Sequence, residues 1–113
     1  MAIGDKVRVG IGTMIHGVDS STNVPVYEFE RNGSGMVIFD MAGCAMPKPL
    51  GGVKGGSIGK VVGDPTKVHR SSIQVKSGVD SSAGNDTILL YPVEFEYYKQ
   101  VAFVSQDHLH VVG

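Results

Sequence analysis

Apolar and polar positions alternate along most of this chain with a period of two, the period of a strand with one dry face. In segment 6–11, Val7, Val9 and Ile11 alternate with Lys6 and Arg8. In segment 26–31, Tyr27 and Phe29 share one face, and Glu28 and Glu30 share the other. Segment 35–40 is apolar on both faces through Met36, Val37, Ile38 and Phe39, which predicts a central strand. Segment 57–63 reads as a short strand between glycines. Segment 69–76 is expected to bury Ile73 and Val75 and to expose Arg70, Gln74 and Lys76. The longest strand is expected over 87–98, with Leu89, Tyr91, Val93, Phe95 and Tyr97 on one face. Pro92 has no N–H for a ladder, so it marks an edge or a bulge. Segments 100–104 and 109–112 complete seven or eight short strands, an all-β pattern that suits a small barrel or sandwich.

Between these strands, Asp40–Gly56 holds two prolines and five glycines and shows no alternation. It reads as a long Gly/Pro-rich loop, and such loops in compact domains are usually functional or mobile. Segments 18–23 and 79–86 are polar turns rich in Ser, Asp and Asn. The pentapeptide Gly-Val-Asp-Ser-Ser occurs at 17–21 and again at 78–82, before two Glu-rich strands. The linkers that follow differ in length, so the echo reads as coincidence rather than duplication.

Composition reinforces the strand reading. There are 17 Val against 4 Leu, 5 Ala and 4 Glu, and 16 Gly with 5 Pro cut the chain into short pieces. A length of 113 residues fits one domain, 1–113, and 42% hydrophobic residues exclude a disordered tail. Cys44 is the one cysteine, so no intrachain disulfide is possible, which suits a reducing compartment. The first residues lack the pattern of a signal peptide, and no apolar run approaches the roughly 20 residues of a membrane helix. A cytoplasmic location is therefore expected. The net charge is −1, split evenly as five basic and five acidic groups in 1–56 and five and six in 57–113. A phosphate-binding protein usually carries a basic excess, so composition does not favour nucleic acid.

Three pieces in order add a resemblance. Gly4, Asp5, Val7 and Val9 open the chain, Gly56, Gly59 and Val61 form a turn into a strand, and Val93, Phe95, Phe103, Leu109, Val111 and Val112 end it. This order resembles SH3-like barrels of the KOW or bacterial accessory-subunit kind. The resemblance implies a small SH3-like barrel with a long insertion after the first strand, supplying one extra hairpin. It also implies a single helical turn at 105–109, with Leu109 and Val111 inward and His108 and His110 outward. The matched residues are those of turns and core, so the resemblance carries no active site.

The candidate chemistry is sparse. His108 and His110 share one side of a strand and suit a transition metal, but a site needs further ligands, and His16, His69 and Asp107 are the obvious donors. Two surface histidines on an edge strand are the plainer reading. Cys44 reads as a thiol packed in a loop. Segment 51–60 looks like a phosphate loop but lacks the Lys-Ser/Thr pair and is followed by a strand. Lys60, Lys67, His69, Arg70 and Lys76 form the densest basic stretch, and Lys60, Lys67, Arg70 and Lys76 are the residues a nucleic-acid reading would use. A solvated strand face opposite Glu94 and Glu96 is the plainer alternative. Tyr27, Phe29, Lys54, Tyr97 and Tyr98 are the candidate contact residues, with Tyr97 inward and Tyr98 outward. The expected function is a non-catalytic binding module without a cofactor. Its partner would be a second copy or another protein, because exposed strand edges need covering.

Overall fold

The computed structural model describes residues 1–10, 23–73, 87–96, 98 and 100–112. Eight strands lie in one antiparallel sheet: β1 (Lys6–Val9), β2 (Asn23–Phe29), β3 (Pro47–Lys54), β4 (Ile58–Val61), β5 (Thr66–His69), β6 (Thr87–Phe95), β7 (Ala102–Ser105) and β8 (Leu109–Val111). The order across the sheet is β3-β2-β7-β6-β4-β1-β8, and β5 pairs with β6 beside this path. Helix is confined to two 3-10 turns among the described residues, Arg70–Ser72 and Gln106–His108. Among the described residues the path does not return on itself, so the sheet is open where the sequence suggested a small barrel or sandwich. No described helix is long and apolar enough to cross a membrane.

Period-two burial builds β1 as expected: Val7 and Val9 are wholly buried, while Lys6 and Arg8 are exposed. In β6 the alternation buries both faces, at different ends. Val93 and Phe95 join Val7, Val9, Val24, Val26, Val53, Val61, Ala102, Val104 and Leu109 in one core. Ile88 and Leu90 point the other way, into a second core with Tyr27, Phe29, Ala45, Val68 and Ile73. β2 is divided alike, with Val24 and Val26 in the first core and Tyr27 and Phe29 in the second. Two strands thus run from a core on one face of the sheet to a core on the other. Each buried aliphatic side chain is worth about 1.5–3 kcal/mol relative to exposure, so both faces contribute to holding the sheet.

Pro92 sits inside β6, where pairing changes hands. β5 covers β6 from Thr87 to Leu90, and β4 covers it from Val93 to Phe95. The Pro92 carbonyl accepts from Val62 N at 3.0 Å, so its nitrogen faces the gap between those two strands. A residue without an N–H costs no ladder bond there.

Several sequence expectations are corrected. Met36–Phe39 forms no central strand. It belongs to an exposed excursion between β2 and β3, closed by single bridges Arg31↔Val37 and Phe39↔Ala45. Within Asp40–Gly56, residues 47–54 are β3 rather than loop. Its period was hidden because the register skips Leu50 between Val26↔Gly51 and Tyr27↔Pro49, and Val53 alone in β3 is fully buried. Residues 69–73 are the end of β5 and a 3-10 turn rather than a strand. The turn at Gln106–His108 falls where expected, with Ser105 Oγ accepting from Asp107 N at 3.3 Å. Leu109 is buried but Val111 is exposed, and His108 and His110 are half-buried rather than outward. Residues His16, Gln74, Val75, Lys76 and Tyr97, and both Gly-Val-Asp-Ser-Ser copies, lie outside the described residues.

Candidate functional site

The candidate contact residues do not converge. Tyr27 and Phe29 are buried in the second core, with Phe29 and Phe103 rings 4.4 Å apart, so neither offers a contact surface. The reason is that β2 is covered on its Tyr27 face as well as on its Val24 face. Tyr98 is half-buried rather than outward: it packs toward Phe95 and donates its hydroxyl to Gly52 O at 3.0 Å, clipping the β6–β7 connection to β3. Lys54 is exposed at the end of β3. Lys60 stands opposite Glu94, Lys67 is exposed on β5, and Arg70 donates to Asp107 Oδ2 at 2.9 Å. The basic stretch is thereby split, with acidic groups beside Lys60, Arg70 and His69.

The excursion between β2 and β3 presents apolar side chains to water. Met36 is 66% exposed, Phe39 56% and Met41 fully so, with Ile38 and Met46 exposed nearby. Sequence reasoning missed this surface because an apolar run reads as a buried strand. Local polar chemistry holds the excursion in shape. Asn32 Oδ1 accepts from Ser34 N and Met36 N, and Arg31 donates to Gly35 O at 2.8 Å. Bonds from Glu30 N to Met46 O and from Ile38 N to Glu30 O tie its base to β2.

At the far end of this excursion three side chains meet. Asp40 begins a turn in which its Oδ1 accepts from Ala42 N and Cys44 N, both at 2.9 Å. Gly43 takes a φ of 79°, a left-handed conformation that glycine adopts without strain. The turn is joined to β5 by Ala45 N donating to Lys67 O at 3.0 Å. Two residues further along β5, His69 Nε2 lies 2.6 Å from Asp40 Oδ2. A carboxylate only accepts, so the ring nitrogen donates. The Cys44 N–H, followed by the His69 side chain and the Ala42 N–H, holds the Asp40 carboxyl below the usual carboxylate range against partial dehydration. Cys44 is wholly buried beside this pair. One ligand atom each from Asp40, Cys44 and His69 all fall within 4.8 Å of one another.

Burial is the main cause that lowers the His108 pKa, with Asp107 opposing it and the neighbouring His110 adding to it. No third metal donor joins them among the described residues. Comparison of the chain with family models, with curated proteins and with solved structures finds no match.

Proposed function

We propose that this protein is a small non-catalytic binding module of SH3-like build that works through protein contacts, first of all with a second copy of itself. The strand order β8-β1-β4-β6-β7, with one 3-10 turn before the last strand, supports the SH3-like reading. The β2–β3 hairpin would then be the insertion. The observation that carries the contact reading is the row of apolar side chains in water at Met36, Ile38, Phe39, Met41 and Met46. Contiguous exposed apolar surface is uncommon unless something covers it, and methionine adapts to varied partners. A second copy brings the same apolar surface at the same concentration, and a two-fold contact lets one patch serve as both halves. Charge placement supports protein over nucleic acid as partner, since Lys60 faces Glu94 and Arg70 is bonded to Asp107.

The test is the mass in solution by light scattering, on the wild type and on a Phe39→Ser/Met41→Ser variant. The wild type is expected at twice the 11.9 kDa chain mass and the variant at the chain mass. A wild type that stays monomeric when concentrated overturns the self-association reading.

A further inference from the structure

The geometry points to a zinc-class divalent cation site at Asp40, Cys44 and His69, formed by the thiolate, a ring nitrogen and a carboxylate oxygen. The inference goes beyond the contact surface proposed above and does not depend on it. The three donors come from two elements that are joined without the ion through Ala45 N to Lys67 O, and the bond between Asp40 N and Cys44 O at 2.8 Å closes the turn that holds two of them. A cation would therefore find its ligands gathered rather than have to assemble them. Tetrahedral zinc bonds of about 2.0–2.3 Å require ligand atoms about 3.3–3.8 Å apart. The observed cluster, with every pair inside 4.8 Å, brackets that spacing. His69 and Asp40 stand closer, at 2.6 Å, because a proton lies between them. Both side chains are part-exposed, and coordination would need their donor atoms to separate by about 1 Å to take an ion in place of the proton.

A second observation marks the place as unfinished. With Nε2 donating to Asp40, a neutral His69 carries its lone pair on Nδ1, and Nδ1 is buried without a hydrogen-bond partner. A buried acceptor left unsatisfied is costly, and no bond at Nδ1 fixes the tautomer, so Nε2 can turn its lone pair to an ion as Nδ1 takes the proton. The donor set chooses the ion. A thiolate disfavours magnesium and calcium, whereas sulfur, nitrogen and oxygen together suit zinc. Full burial of Cys44 argues against a nucleophile, since no substrate carbon reaches its sulfur. A bare cation entering between His69 and Asp40 is small enough. On binding, the Cys44 S–H bond gives its proton to solvent and imidazole binds in its neutral form, so affinity rises with pH. Water completes the fourth position on the exposed side. The ion would pin the 40–45 turn to β5.

The whole chain, stripped with a chelator, is titrated with cobalt(II) and then with zinc. One equivalent of cobalt is expected to produce a thiolate-to-cobalt charge-transfer band and the visible bands of a tetrahedral ion, and zinc is expected to bleach both. Cys44→Ser should lose the charge-transfer band. Because Cys44 is a core position, Asp40→Asn and His69→Gln carry the test independently, each weakening cobalt by about tenfold or more with an unchanged circular dichroism spectrum. A His108→Ala/His110→Ala variant should bind as the wild type does. Absence of the cobalt bands, their survival in Cys44→Ser, wild-type affinity in both Asp40→Asn and His69→Gln, or their loss in the His108/His110 variant overturns the assignment.

Discussion

Gly59 lies in β4 with its α-carbon opposite Phe95, so close to β6 that an added methyl group would meet Val93 Cγ1 at 2.5 Å and Phe95 Cδ1 at 3.0 Å. Both obstacles belong to the first core, where a shift disturbs packed neighbours. Gly59→Ala is expected to cost about 1–3 kcal/mol, read from the urea midpoint, and an unchanged midpoint would contradict it. His108 gives a different residue-level expectation. Burial lowers its pKa from the ordinary 6.5, Asp107 opposes that and His110 adds to it. Between the ordinary and the lowered value the unfolded chain binds a proton that the folded chain does not. The associated stability is therefore complete above about pH 6.5 and declines as pH falls through the lowered value. A His108→Asn variant should show a flatter loss of stability on acidification, and parallel curves for variant and wild type would refute this. At this scale the sequence was only half legible. The alternation around Val7 and Val9 was plain, but Asp40 and Cys44 meet His69 across 25 or more residues, and no spacing rule announces such a meeting.

Elements were legible where apolar residues keep a strand's period or stand between turn residues. β1, β4, β6, β7 and β8 fall where alternation put them, and the 3-10 turn at Gln106–His108 does too. β3 was illegible because its skipped residue breaks the period and its outer side is open. Met36–Phe39 misled for the opposite reason: its apolar run is real, but two single bridges are all the pairing it has. Pairing also ranks the strands. β6 and β7 are bonded on both sides, whereas β3 and β8 pair on one side among the described residues. Two prolines and two lysines on β3 discourage a further strand from adding there. Native-state hydrogen exchange should therefore find the slowest amides in β6 and β7 and the fastest strand amides in β3 and β8. Slower exchange in β3 than in β7 would show a covered edge and count against this ranking.

On the scale of the molecule, the all-β class followed from a valine-rich chain with period-two burial, and the open sheet did not. Closure depends on whether the first and last members of the path meet, and alternation is the same in either case. The two-sided burial was equally hidden, since a strand buried on both faces at different ends looks, residue by residue, like one that merely alternates. It has a practical bearing on any attempt to trim the protein. Excising the β2–β3 hairpin to leave the other six strands would bare Ile88, Leu90 and Phe103 where Tyr27 and Phe29 now cover them. The shortened chain would inherit a greasy scar on its back, and would survive only with those positions rewritten as polar ones.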